Sequence, residues 1–166
     1  MEPTVTQWLK KIEEMKHGNM DLSRDEDLSI AIMNLISLEE HFFFTAMKTE
    51  NQKYLEMLHS VREVRKELLG KMVTKPQGEE WCISKHLLAA SMRLIETGTK
   101  ELAKGNKKEA NSFFTNAFNL YTMFFAINLK MVETEKLKYT DEIKKEEKAM
   151  SKFSQIIKKI VDCCRE

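Results

Sequence analysis

The sequence predicts an all-α protein, folded as a single antiparallel bundle of five or six helices. The chain of 166 residues has the size of one ordinary domain. Its five glycines and two prolines are too few for the many turns of a β-sandwich or barrel. With 32% charged residues it does not resemble a membrane-embedded chain, and with 42% hydrophobic residues it does not resemble a disordered one.

Two helices are predicted in the first part of the chain. The first covers about 4–17 and ends at Gly18, a residue type that favours helix C-termini. The second covers about 23–48. It begins with a capping box, because the side chains of Ser23 and Glu26 can each close a free backbone amide of the first turn.

A third helix is predicted over about 49–73, followed by the clearest break in the chain. Thr49 and Gln52 have the spacing of a second capping box. The break at 75–78 reads Lys-Pro-Gln-Gly, a typical turn sequence. We interpret it as a candidate hinge inside one domain that covers 1–166.

Two or three helices are predicted after this break. One covers about 79–105. The next begins at the capping box of Asn106 and Glu109 and runs to about 138. A last helix starts near Thr140, unless it continues the previous one as a bent rod. Apolar residues recur there at heptad-like spacing, which suits a partner helix or the bundle itself: Ile143, Met150, Phe153, Ile157 and Ile160.

Small and aromatic residues are spaced regularly between 94 and 117. They are Leu94, Gly98, Gly105, Ala110, Phe114 and Ala117. This spacing resembles one tetratricopeptide-type helical hairpin, although Glu101 and Thr122 replace that family's usual aromatic residue and proline. The resemblance implies a tight hairpin at about 91–124, in which small residues let two helices approach and a phenylalanine fills the groove between them.

Charged residues interrupt the apolar faces of two neighbouring predicted helices. Glu39 lies in the middle of one apolar face, Arg65 lies in the centre of the other, and Arg62 lies on its border. An unpaired buried charge is costly, so each of these groups needs a counter-charge or a ligand. In an antiparallel hairpin that turns near residue 50, Glu39 can reach Arg65, or Arg62 in a slipped register.

The same reasoning places two further polar residues at the level of Glu39. Folding at the break brings Arg65 level with about His86, and folding at Gly105 brings Asn128 level with about Cys82. Two interpretations stay open. The polar layer is either a closed network that fixes the helix register or the lining of a pocket for a small anionic ligand.

A second set of polar residues shares one face of the helix over 79–105. Lys85, Arg93, Glu96 and Lys100 lie there with small Ala89. This face is either the solvated side of an amphipathic helix or a groove for an acidic partner or phosphate. Binding of nucleic acid would require these cations to join Arg62 and Lys66 in one patch, and the net charge of +1 does not favour it.

The sequence contains none of the standard catalytic or metal-binding motifs. The pair Glu56 and His59 has di-iron spacing, but it occurs once, and such centres need two copies. No histidine follows an arginine at the spacing of small helical ribonucleases. Cys82 and His86 share one helix face, but a lone cysteine in a helix is more commonly inert packing. We therefore predict no catalytic residue, no metal and no cofactor.

These observations favour a non-enzymatic interaction or scaffold module, with a protein partner or a second copy of the chain as its ligand. The alternative is a ligand-binding or enzymatic bundle that uses Glu39, Arg62, Arg65, Lys85, His86, Arg93 and Asn128. Three cysteines without framework spacing predict a reducing compartment, the cytoplasm. The N-terminus has no signal-peptide pattern and no long uncharged apolar run is evident, so we expect no membrane segment.

Overall fold

The computed structural model describes residues 22–130, which form four α-helices. These are α1 (Ser23–Thr49), α2 (Lys53–Met72), α3 (Glu80–Ala103) and α4 (Lys107–Asn128). No strand occurs in this part of the chain, so the all-α class is confirmed for it. The helices predicted at 4–17 and beyond 140 lie outside the described residues.

The helix starts are close to prediction, but the predicted capping boxes at Thr49 and Asn106 do not close α2 and α4. Leu22 occupies the N-cap of α1 and makes no side-chain cap hydrogen bond. Thr49 is the last residue of α1 instead of the cap of α2, because its hydroxyl donates to the carbonyl of Thr45 at 2.8 Å. The first turn of α2 is closed by Asn51, whose side-chain oxygen accepts from the amide of Lys53 at 3.0 Å.

Asn106 occupies the predicted N-cap position of α4, but its side chain does not form the predicted capping box. The Asn106 side chain makes no cap hydrogen bond. Its amide nitrogen donates backwards to the Glu101 carboxylate at 2.7 Å, which ties the turn to the end of α3. Gly105 has φ of 83°, in the left-handed region that favours glycine, so this residue reverses the chain between the two helices.

The prediction that the helix beginning at Asn106 runs to about 138 is wrong. α4 ends at Asn128, and Lys130 has a left-handed φ of 55°. The ammonium of Lys130 forms an ion pair with the buried carboxylate of Glu80 at the start of α3. The same carboxylate accepts from the amide of Gln77 at 2.9 Å. This ion pair holds the end of α4 against the start of α3.

The four helices form two hairpins, α1–α2 and α3–α4, which contact each other mainly through α1 and α3. Short connections make consecutive helices antiparallel, so α1 and α3 run in the same direction. Both hairpin turns, at 50–52 and 104–106, therefore lie at one end of the bundle. The α3–α4 hairpin is tight at Gly98, where an added Cβ would lie 2.6 Å from the ring of Phe114.

The hydrophobic core lies toward the other end, where the hairpins meet. It is built by large buried side chains from all four helices and the segment after α2: Ile32, Met33, Leu69, Val73, Leu87, Leu88, Tyr121, Phe124, Phe125, Ala126 and Ile127. One buried hydroxyl pair joins the hairpins inside this region. The Ser29 hydroxyl donates to the carbonyl of Glu26, so it accepts from the Tyr121 hydroxyl, and the two oxygens are 2.6 Å apart.

The apolar content of α1 bears on the prediction that the chain has no membrane segment. By length and apolar content alone, α1 could cross a membrane, the one helix of residues 22–130 that could. Core helices of soluble proteins pass the same test, and part of α1 is buried against the other helices. The feature is weak support for either environment, so the predicted location in the cytoplasm stays a prediction.

Candidate functional site: an open helix face and the adjoining cleft

The charged residues that interrupt the apolar faces of α1 and α2 do meet. The Arg65 guanidinium donates from Nε to Oε1 of Glu39 at 2.8 Å and from Nη2 to Oε2 at 3.3 Å. Arg62 donates from Nε to Oε2 at 2.8 Å. The predicted ion pair is confirmed, and Glu39 binds both arginines at once. We call these three residues the Glu39 triad.

The Glu39 triad is closed on itself. Burial on its own would raise the pKa of the Glu39 carboxyl, but hydrogen bonds and charge from Arg65 and Arg62 outweigh it and lower that pKa below its usual range. The carboxylate is therefore ionised at neutral pH, and both of its oxygens are occupied. A ligand-binding role for these three residues stays a prediction; their geometry is that of a structural network.

The structure does not bring Asn128 and His86 to the level of this triad. Ser29 and Tyr121 share a level, and from there Asn128 and Glu39 lie in opposite directions. Seven residues of α4 and ten of α1 separate them, which is about 25 Å along the bundle. Asn128 instead donates to the Ser84 hydroxyl at 3.2 Å and to the carbonyl of Phe124 at 2.8 Å.

The error in the predicted layer comes from the connection after α2. We expected Arg65 to lie level with His86, as a tight reversal at 75–78 would require. In the structure, Arg93 contacts Ser37 on the parallel helix α1, so the level of Glu39 corresponds to about residue 95 of α3, and His86 lies about nine residues, or about 14 Å, nearer the start of α3. His86 is exposed.

The polar face of α3 packs partly against α1. Arg93 donates to the Ser37 hydroxyl, and its Nε lies 3.5 Å from Oε2 of Glu40. Lys85 is half-buried and Lys100 is exposed. The patch required for nucleic-acid binding is also weakened, because Arg62 binds Glu39 and Lys66 binds Glu63.

The remaining chemical candidates are spread over the surface. Cys82 is exposed, which differs from the packing role expected for it, and His86 is exposed as well. Within residues 22–130 no group of three metal-ligating side chains comes together. Glu56 and His59 both lie on the exposed side of α2.

A feature that the sequence reasoning missed is the uneven burial of one face of α1. Six residues at alternating spacings of four and three form this face, which we call the α1 stripe: Ser29, Met33, Ile36, Glu40, Phe43 and Met47. Met33 is 5% exposed, whereas Phe43 is 45% and Met47 is 54% exposed. Since Ser29 contacts α4 and Glu40 contacts α3, the stripe is the face that joins the hairpins. Beyond Glu40, its residues Phe43 and Met47 are exposed within residues 22–130.

The exposed end of the stripe is apolar, and Phe44, which lies beside the stripe, extends this apolar surface. Phe44 is 59% exposed and packs edge-on against Phe43, with ring centroids 5.3 Å apart. Exposed phenylalanines and methionines grouped in this way typically mark an interaction surface. The sequence signal for this surface was the run of three phenylalanines at 42–44. Three consecutive residues of a helix point in three directions, so a single neighbouring helix does not cover all three rings.

A cleft of about 340 Å³ adjoins this end of the stripe, between α1 and α3. Its lining combines a phenylalanine ring with hydroxyls and charged groups: Ser37, Glu40, His41, Phe44, Thr45, Lys48 and Arg93. Arg93 is the one residue of this lining that the sequence reasoning named. Cations and hydroxyl donors that line a cleft beside a phenylalanine ring can hold a carboxylate or phosphate.

Comparisons with protein families, with curated proteins and with solved structures find no match to this chain.

Proposed function

We propose that this protein is a non-enzymatic interaction module that binds an amphipathic helix on the uncovered end of the α1 stripe. The supporting observation is that one helix face is buried at Met33 and open at Phe43 and Met47. A face with spacings of three and four residues is filled by another helix with the same period, as in helix-in-groove recognition.

The size of the open end limits what can bind. Glu40 and Met47 are two helical turns apart, about 10 Å. A partner helix of about 16 residues, with three apolar anchors, would cover Phe43, Phe44 and Met47 and extend past both ends. Arg93 and Lys48, on the cleft side, favour a partner with carboxylates next to its apolar face.

A displayed library of helical peptides tests this proposal with the full chain as bait. We expect enrichment of sequences with apolar residues at i, i+3 and i+7, and loss of their binding in Phe44→Lys/Met47→Lys. The control is Met123→Lys, which changes an exposed apolar residue on another helix, α4, and should keep the binding. No enrichment, or enrichment indifferent to the Phe44 and Met47 changes, would refute the proposal.

The proposal also covers the number of helices, the hairpin type, the location and the oligomeric state of the whole chain. We infer five or six helices in the whole chain, which requires further helices outside the described residues. The contact of Gly98 with Phe114 supports a tetratricopeptide-like hairpin at about 91–124, since a small residue there faces the aromatic ring that fills the groove. One domain over 1–166, a location in the cytoplasm and self-association as a homodimer remain parts of the proposal.

A second candidate function is binding of a small anionic ligand, for which the cleft beside Arg93 is the specific support. A thermal-shift screen of phosphates, nucleotides and carboxylates tests it. A ligand at about 100 times its Kd should stabilise the protein by about 2.7 kcal/mol. The shift should disappear in Arg93→Met and persist in Lys107→Ala, a change at an exposed residue of α4. A shift that survives Arg93→Met would place the ligand elsewhere and refute this site.

A further inference from the structure

The open end of the α1 stripe has a candidate occupant in the same chain. We propose that the segment 141–160 lies along the stripe in the free protein, with Phe153 near Phe43 and Ile157 near Met47. This inference rests on the proposed function, because it names the helix that the open face receives. Three independent observations on the described residues and the sequence carry it.

The first observation is that the chain after α4 is long enough to reach Phe43. α4 ends at Asn128, seven residues past Tyr121, and Phe43 lies fourteen residues past Ser29 in the opposite direction. The path from the end of α4 to Phe43 therefore corresponds to about 21 helical residues, or about 32 Å. The 23 residues of 131–153 span about 34 Å as a helix. Lys130, the last described residue, has a left-handed φ of 55°, which ends the helical path of α4, and it is held to Glu80.

The second observation is pattern. The α1 stripe advances by four and three residues in turn. In the segment 141–160, Met150, Phe153, Ile157 and Ile160 advance by three, four and three. Two helices with this shared period pack knobs into holes along their whole contact.

The third observation is charge. With Phe153 level with Phe43 and the two helices parallel, Glu147 lies level with Ser37. Ser37 accepts a hydrogen bond from Arg93, whose guanidinium is half-exposed at the edge of the cleft. A carboxylate at that level would meet a cation that Glu40 approaches only at 3.5 Å.

Disulfide formation in the full chain tests the placement. Cys82, Cys163 and Cys164 are first changed to serine. Two reporter pairs are then made, Met47→Cys with Ile157→Cys and Phe43→Cys with Phe153→Cys, since a disulfide needs Cα atoms about 4.4–6.8 Å apart. The control pair is Met123→Cys with Ile157→Cys, because Met123 is exposed to a similar extent on another helix.

After mild oxidation, we expect an intramolecular bond in at least one reporter pair and none in the control pair, read by non-reducing electrophoresis and peptide mass mapping. A covalent dimer in the reporter pairs would overturn the proposal in favour of a second copy on the stripe. Equal yields in reporter and control pairs would overturn it as random collision. Absence of a bond in both reporter pairs would overturn it as well.

A second measurement separates this inference from the proposed function. A segment bound in the same molecule competes with added peptides at an effective concentration of about 1 mM. The full chain with Ile157→Asp should therefore bind the enriched library peptides about tenfold more tightly, or better, than the wild type. Equal affinity would overturn the inference while the proposed function stands. No peptide binding to either chain would overturn the proposed function.

Discussion

Removing either partner of the buried pair Glu39–Arg65 should destabilise the protein far more than removing Arg62, the half-exposed member of the triad. Arg65 and Glu39 have side chains 7% and 9% exposed, and the guanidinium contacts both carboxylate oxygens. Glu39→Gln leaves the buried Arg65 guanidinium without its counter-charge, and Arg65→Met leaves Oε1 of Glu39 without its donor, so each change should cost about 3–5 kcal/mol, as for other broken buried pairs. Arg62 is 48% exposed, and the loss of its contact should cost about 1 kcal/mol or less.

The measurement is a double-mutant cycle by urea unfolding. Glu39→Gln and Arg65→Met are made singly and together, with Arg62→Met as the matched control at the exposed end of the same carboxylate. We expect each buried change alone to lower the free energy of unfolding by about 3 kcal/mol or more, and the double mutant to lose less than the sum of the two. The coupling arises because the second change removes the charge that the first one left unpaired.

Two results would refute this reasoning. If Glu39→Gln and Arg65→Met each cost below about 1 kcal/mol and add within about 0.5 kcal/mol, the pair contributes no more than a surface contact. If Arg62→Met costs as much as Arg65→Met, burial is not what sets the strength of the pair.

Three further outcomes follow from the same contacts. The folded-state pKa values of Glu39 and Glu80 lie below the usual range. The stability that these carboxylates contribute is therefore present above the unfolded pKa of about 4.3 and is lost as the pH falls through their folded-state pKa values. The dependence of stability on pH, followed by circular dichroism during acid unfolding, should be less steep in Glu39→Gln and in Glu80→Gln. Gly98→Ala should destabilise the protein by about 1–3 kcal/mol in urea, whereas Gly70→Ala, whose new Cβ meets nothing closer than 3.9 Å, should stabilise it; the opposite order would contradict the tight hairpin. Burial raises the pKa of Tyr121 to about 12, so stability should decline as pH rises from about 10 toward 12, and a step near pH 12 should be missing from the ultraviolet phenol titration of Tyr121→Phe.

The helices were predictable because their signals are local. The break at 75–78 and the glycine at 105 separate helices whose apolar periodicity is evident in the sequence, so four helices begin within a few residues of their predicted starts. The caps failed because a side chain at a helix boundary has several acceptors within reach. Thr49 bonds back to Thr45, and Asn106 bonds to Glu101.

The Glu39 triad was predictable for the same reason: a short turn fixes the register between α1 and α2. The wider polar layer was not, because the connection of seven residues after Met72 lets α3 shift along its axis. The open end of the α1 stripe was also hidden from sequence, since a periodic apolar face looks identical whether another helix covers it or not. Only the three-dimensional placement of the neighbouring helices shows that Phe43 and Met47 are exposed within residues 22–130.

The division into two hairpins also has a consequence for folding kinetics. Most contacts between helices join neighbours along the chain, α1 with α2 and α3 with α4, while the contact of α1 with α3 is smaller. Proteins dominated by such local contacts have low contact order and fold in about microseconds to milliseconds. Each hairpin can therefore form before the other is complete, and we expect docking through Ser29, Tyr121 and Arg93 to be the late step. A substitution at the docking contact should mainly speed unfolding, while one inside a hairpin turn should also slow folding.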